Sequence, residues 1–370
     1  MSESFGNAVE PSLAVPQTRG LIRNHVEGWA AFKIFIVNLL LMVVTLGIYR
    51  FWGKTRMRRY LWGHVEILGD RLEYTGTGKE LFLGFLVIFA VVLLPLAFLS
   101  GFLEQALVGA DDGLVALLGL GQMIVVVFLI GMAMFRARRY RLTRTHWRGI
   151  YGGQTGSSVK YSLMILASYV LTGLTLGWAW PACSVWLKRY EMAHTWVGDE
   201  QPEFTPSIKT LYGSYWIVWL LGFFALGLPL VLAVMSGLNG EAGTLAQNEW
   251  VSALDSSWFF SLLPVGFFVG ILVYRGVVLD HFVSSTRFHG HTLTSSMTGF
   301  GFMWLVVTNA LLVIVTVGLG IPYSYKRYLN FVERHIGLQG SGDFSTLLQS
   351  TQDKPSRGEG LADAFDIGGI

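Results

Sequence analysis

The chain has 370 residues, of which 52% are apolar and 14% charged, with a mean hydropathy of +0.50. That composition excludes an ordinary water-soluble domain. The lone cysteine, Cys183, excludes an intramolecular disulfide and any Cys-rich metal or iron–sulfur site, and the formal charge of +3 matters less than where the 27 bases fall.

Before Ala30 no basic stretch precedes an apolar core. Residues 1–28 therefore read as a flexible leader without a cleaved signal, and the first apolar block serves as its own targeting signal. Apolar blocks follow near 34–49, 81–103, 114–135, 161–187, 213–236, 257–274 and 299–325. Most reach the roughly 20 residues that a helix needs to cross a hydrocarbon core.

No Lys or Arg lies between Lys79 and Arg136, or between Lys209 and Arg275. Each gap holds two blocks and an acidic linker, the first with Glu104, Asp111 and Asp112 and the second with Glu241, Glu249 and Asp255. Both read as tips of transmembrane hairpins facing away from the cytoplasm. The other three blocks contain T-[LV]-G, at Thr45–Gly47, Thr175–Gly177 and Thr316–Gly318, and Pro181 and Pro322 follow the last two. Seven plain crossings would place Lys188 and Arg189 outside. Four crossings plus three re-entrant or interfacial segments place every base on the cytoplasmic side, and charge order favours this arrangement.

Two elements recur. Asn38, Ser168 and Asn309 each precede their Thr by seven residues, two helical turns, and so share its face. Arg59-Tyr60, Arg139-Tyr140 and Arg327-Tyr328 each lead to a glycine ten residues after the Arg, at Gly69, Gly149 and Gly337, with weaker copies ending at Gly198 and Gly290. In the clearest copy, Val65-Glu66-Ile67 and Arg71–Tyr74 alternate like strands around Gly69-Asp70, which predicts a tight hairpin turn. Isolated hairpins are marginal, so these must pair with one another or lie on the membrane.

The expected architecture is an all-α polytopic membrane protein of seven apolar segments, four of them full crossings, with short cytoplasmic β-hairpins. The membrane domain covers 29–337. A Gly/Ser-rich acidic tail, 338–370, is expected to be disordered, with Leu361, Phe365 and Ile367 able to dock.

The run TLGIYRFWGKTRMRRYLWGHVEILGDRLEYTGTGKELFLGFL, with Asn38 upstream, resembles the signature of the YjgN-like inner-membrane proteins, a bacterial family of unknown function. TLGWAWPACSVWLKRYEMAHTWVG, TVGLGIPYSYKRYLNFVERHIG and the tail GLADAFDIGGI extend the likeness over most of residues 24–337. The resemblance implies a multi-pass protein of the bacterial plasma membrane and transfers no catalytic residue. The second copy departs from the pattern, with Ala182, Cys183 and Ser184 where the first has Trp52, Gly53 and Lys54.

Two candidate sites follow. Asn38, Thr45, Ser168, Thr175, Asn309 and Thr316 are polar at matching places inside apolar blocks and suit either interhelical packing or a polar pathway through broken helices. Lys54, Arg56, Arg58, Arg59, Arg136, Arg138, Arg139, Lys188, Arg189, Lys326 and Arg327 suit topology determinants or contacts to anionic phospholipid. No recognition module points to nucleic acid, and no nucleophile, base and orienting group assemble an enzyme. His281, His289 and His291 lack a partner carboxylate at ligand spacing, so no metal or other cofactor is expected. Transport of a small solute is the leading reading, with anionic-lipid binding or scaffolding as the alternative.

Overall fold

A computed structural model describes residues 21–107, 109, 111–227, 229, 231, 258–340 and 342–349. The linker acids Glu241, Glu249 and Asp255, and the tail residues Leu361, Phe365 and Ile367, lie outside the described residues.

The described chain is mostly helical and runs β1 (Ile22–Asn24), α1 (Gly28–Val44), α2 (Arg50–Gly63), β2 (Val65–Ile67), β3 (Asp70–Tyr74), α3 (Gly78–Ile88), α4 (Leu94–Ala106), α5 (Asp112–Arg144), β4 (Thr145–Trp147) and β5 (Ile150–Gln154). It continues through α6 (Ser158–Leu174), α7 (Trp180–Ala193), β6 (Thr195–Val197), β7 (Glu203–Phe204), α8 (Ile208–Gly222), α9 (Trp258–Ser284), β8 (Thr286–Phe288), β9 (His291–Ser295), α10 (Gly299–Val315), α11 (Ile321–His335) and β10 (Ile336–Gly340).

Four helical stretches are long and apolar enough to cross a membrane: Gly78–Gln105, Asp112–Arg144, Ile208–Gly227 and Leu262–Ser284. In the first, a π-helical turn at Phe89–Leu93 joins α3 to α4 just before Pro95. A widened turn there suits a residue that has no N–H to give the preceding turn. The three T-[LV]-G segments have another form. Each is a helical hairpin, α1/α2, α6/α7 or α10/α11, whose first arm has 17 residues.

All strand pairings are antiparallel and follow chain order, β1 to β6 in one sheet and β7 to β10 in a second. Every helical excursion therefore leaves one strand and returns to the next. Asn24 pairs with Val65 across α1/α2, Tyr74 with Thr145 across the first spanning pair, and Gln154 with Thr195 across α6/α7. Phe204 pairs with Thr286 across the second spanning pair, and Ser295 with Ile336 across α10/α11. Three β-hairpins form, β2/β3, β4/β5 and β8/β9, and their strands join neighbouring strands edge to edge.

Three two-residue turns, Leu68-Gly69, Arg148-Gly149 and His289-Gly290, have positive φ at both positions, the twist that suits a tight hairpin. Two expectations need correction. The first turn is Leu68-Gly69 rather than Gly69-Asp70; Asp70 opens β3, opposite Ile67. Gly337 is no turn residue, because it lies inside β10 opposite Thr294.

The tail boundary also moves. Strand β10 runs on to Gly340, past the expected break at 337/338, because its backbone groups pair with β9 along the whole length. Residues 342–349 then cross both sheets. Phe344 stacks on His291 with ring centroids 4.7 Å apart and meets Trp147 edge-on at 5.6 Å. Leu347 is buried, and Gln349 Oε1 accepts a hydrogen bond from the Tyr151 N–H at 3.1 Å.

Candidate functional site

The recurring threonines shape the hairpin turns. Thr45 Oγ1 donates to the Leu41 carbonyl (2.7 Å) and accepts from the Tyr49 N–H (2.9 Å). Thr175 does the same with Leu171 (2.8 Å) and Ala179 (2.9 Å), and Thr316 with Leu312 (2.6 Å) and Gly320 (2.7 Å). The next two residues are left-handed in all three turns, with φ of 51° and 90° at Leu46 and Gly47. One hydroxyl thus takes up an N–H that opens the second arm, a group that helix ends leave orphaned, while donating to a carbonyl that already accepts the threonine's own N–H.

The polar residues seven positions earlier face the returning arm in their own ways. Asn38 Nδ2 donates to the Gly53 carbonyl at 3.2 Å, while its Oδ1 is enclosed and has no partner among the described residues. Ser168 Oγ turns back to the Met164 carbonyl at 2.8 Å, and the Cys183 thiol lies 3.9 Å from the Ser168 carbonyl. Asn309 Oδ1 is enclosed and unpartnered like that of Asn38. Among the described residues no hydrogen bond joins Asn38, Ser168 and Asn309 to one another.

Most of the basic candidates hold the fold together. Arg58 is buried, with its guanidinium on the Tyr74 hydroxyl and ring. Arg59 and Arg139 occupy equivalent places and donate to the Gly76 and Gly156 carbonyls, at 3.2 and 2.6 Å, in the loops after β3 and β5. Arg138 pairs with Glu191 and reaches Thr195, Arg136 donates to Ser158 Oγ (3.4 Å), and Arg327 to Thr308 Oγ1 (2.7 Å). Arg56 and Arg189 are exposed and, like the half-buried Lys326, make no hydrogen bond or ion pair among the described residues.

The two candidate sets meet in one place. A cleft of about 350 Å³ lies where α1, α2 and α11 converge, walled by Phe35, Leu39, Met42 and Met57, with Asn38 and Tyr325 at its sides and Arg50 and Lys54 lining it. Gly53 contributes to its openness, since a Cβ there would sit 3.3 Å from the Asn38 side chain. Counting from each turn threonine, Arg50 corresponds to Trp180 and Ile321, Gly53 to Cys183 and Ser324, and Lys54 to Ser184 and Tyr325. At these three positions only the first hairpin carries cations. In the second hairpin the buried Cys183 fills the place that Gly53 leaves open.

What sets the second hairpin apart is a carboxylate at its base. Glu191 receives Arg138, Lys188 Nζ (3.0 Å) and the Tyr161 hydroxyl (2.7 Å). Burial alone would raise the Glu191 carboxyl, but Lys188, Arg138 and Tyr161 outweigh it and hold it below the usual carboxylate range. Burial pushes the Lys188 ammonium down and the Tyr161 phenol up. Sixteen residues after the turn threonine, the first hairpin has buried Leu61 where the second has Glu191.

Another recurring feature is an aromatic residue four before a histidine. Tyr60/His64, Tyr190/His194 and Phe331/His335 pack as tilted ring pairs with centroids 4.2 Å apart in each case, and each His Nδ1 meets its partner's carbonyl at 2.7–2.8 Å. The spacing was visible in the sequence, but aligning the third copy on Arg327-Tyr328 hid it. Tyr60 and Tyr190 also clasp the residues that open the first arms, bonding both N–H and carbonyl of Glu27 and Ser157. As for the other histidines, His281 Nε2 caps the Ser207 N–H, His289 pairs with Glu200, and among the described residues no three His, Cys, Asp or Glu side chains converge as a metal site would need.

Long apolar helices returning to a common pair of sheets define a helical membrane protein. The family description "Bacterial protein of unknown function (DUF898)" matches residues 25–364, and the chain belongs to that family. It is similar to the inner membrane protein YjgN of Salmonella typhimurium, at 24% identity over 89% of this chain and 90% of the relative. It also resembles YjgN of Escherichia coli O157:H7, at 29% over 34% of this chain and 29% of the relative, and YjgN of Escherichia coli K12, at 39% over 19% of this chain and 18% of the relative. No solved structure matches.

Proposed function

We propose that the protein is an inner-membrane lipid-binding protein that holds an anionic amphiphile, a phospholipid, in the cleft between its first and third helical hairpins. The observation that carries this reading is the placement of Arg50 and Lys54 in an apolar cleft near a hairpin tip, where both other hairpins have uncharged residues. Two cations beside apolar walls match an amphiphile in kind, the cations facing an anionic headgroup and the walls its acyl chains.

In the topology that goes with it, four helices cross and the three hairpins re-enter. A 17-residue arm reaches about 26 Å, short of a core of about 30 Å, and then turns back. The first and third tips are apolar and bare, with Leu46 93% and Val317 91% exposed, as suits immersion in hydrocarbon, while the second is held against α8 by Tyr212, Tyr215 and Trp219. The sheets and basic loops then lie together on the cytoplasmic side.

Solute transport receives less support. Its pathway needed six polar residues, and the Thr45, Thr175 and Thr316 hydroxyls are occupied by backbone groups of their own turns.

Native mass spectrometry of the full chain from nanodiscs of phosphatidylcholine with phosphatidylglycerol tests the reading. Retained phosphatidylglycerol that is lost in Arg50→Ala/Lys54→Ala supports it. Equal retention of both lipids, or no loss in the variant, overturns it. A retained water-soluble adduct in place of lipid would revive transport.

A further inference from the structure

His289 occupies the first position of the β8–β9 turn, between the segment 342–349 and the link joining β6 to β7. Its Nδ1 lies 2.9 Å from Glu200 Oε1 and its Nε2 lies 2.7 Å from the Asp343 carbonyl oxygen. Both partners are acceptors only. A neutral imidazole has one N–H and can serve one of them, whereas the imidazolium serves both. The Thr346 hydroxyl, 3.0 Å from Nε2, also donates to the Asp343 carbonyl and so does not remove the demand for the second proton.

The segment it holds spans the molecule. Beyond Asp343, Phe344 stacks on His291, the Leu348 N–H donates to Asp199 Oδ1 (3.0 Å), and Gln349 meets Tyr151. One end thus rests on the four-stranded sheet and the other on β5 and the β6–β7 link.

We propose that His289 is a proton-operated latch: its imidazolium clamps the C-terminal segment 342–349 across the two sheets, and loss of the proton releases it. The charged surroundings fit. Glu200 and Asp199 face the ring from the β6–β7 link, the Asp343 carboxylate lies on the segment itself, and Arg148 acts on Asp343 from the β4–β5 turn. The Asp343 carbonyl and then Glu200 raise the imidazole above its ordinary value, with slight burial opposing them. A raised folded value means that the clamp is fully present below about pH 6.5 and is lost as pH rises through the raised value. Cytoplasmic acidification closes it and alkalinity opens it.

Hydrogen exchange on the full chain in nanodiscs, expressed as protection relative to intrinsic rates at pH 5.5 and 8.5, tests the latch at the Leu348 and Tyr151 amides. The expected result is a fall of about tenfold at the higher pH, the scale of one charge-assisted hydrogen bond. His289→Gln should be poorly protected at both pH values, while the β2–β3 amides stay protected and report an intact fold. Glu200→Gln should shift the fall to lower pH. Wild-type protection that is independent of pH, or an unchanged profile in His289→Gln, overturns the proposal.

Discussion

The first and second helical hairpins share a turn, an aromatic–histidine pair, a tyrosine clasp and basic residues at the base, Arg58-Arg59 and Lys188-Arg189, yet only the second has a carboxylate on that stretch and only the first has cations near the tip. In α1/α2 the base is an apolar cluster of Val26, Ala31, Met57 and Leu61, and Arg50 and Lys54 stand near the tip in an open cleft. In α6/α7 the base is the Glu191–Arg138–Lys188–Tyr161 cluster, and the corresponding interior is closed by Cys183. The backbone device tolerates either filling, because Thr, the left-handed residue and Gly close the turn through backbone groups of the arms and not through their side chains. The side chains on the second arm are therefore free to differ, and the first hairpin is the one with room for a ligand.

The sharpest way to break this contrast is at the two bases. Leu61→Ala should cost about 3 kcal/mol, as truncation of a fully buried leucine does, with no dependence on pH. Glu191→Gln should cost about as much at neutral pH, because Arg138 and Lys188 lose their counter-charge. Since the Glu191 carboxyl is held low, its contribution exists above the ordinary carboxylate value and disappears as pH falls through the lowered one. Thermal unfolding of the two variants at pH 7 and in acid should converge on wild type for Glu191→Gln alone. Similar pH responses would show that the bases do not differ in kind.

The next effect is at the tip. Arg50→Ala/Lys54→Ala should weaken phosphatidylglycerol binding roughly thirtyfold, about 1 kcal/mol per cation, whereas Trp180→Ala/Ser184→Ala should leave it unchanged. Thr45→Val, Thr175→Val and Thr316→Val should each cost about 1 kcal/mol, the scale of a lost helix cap, and the three losses should be alike. A loss confined to one hairpin would mean that the shared turn is not a shared device. The smallest expected change is a gain: Cys183→Gly with Ser184→Lys should create a weak second lipid site, at under about 1 kcal/mol, visible as a minor doubly loaded species.

Much of this was legible in the sequence because it rests on local chemistry. Gly47, Gly177 and Gly318 mark breaks in their apolar blocks, alternation marks β2 and β3, and uncharged runs mark the four long helices. The candidate basic residues were found by type, but their tasks were not. Arg58 and Arg59 are adjacent in sequence, and one is buried on Tyr74 while the other holds a loop carbonyl. Arg50 belongs to the same basic run as Lys54, but nothing in a linear reading says which side of α2 meets α11 and so that these two line the cleft.

The sequence by itself therefore determined the membrane composition, the broken helices and the strand-like elements, because turn chemistry, hydropathy and periodicity act over a few residues. Tertiary structure alone decided that the strands join in chain order into two sheets, that residues 342–349 cross them, and that Glu191 gathers Arg138 from a helix more than fifty residues away. Those outcomes depend on which segments meet, and that is set by packing among distant parts of the chain rather than by the preference of any single stretch.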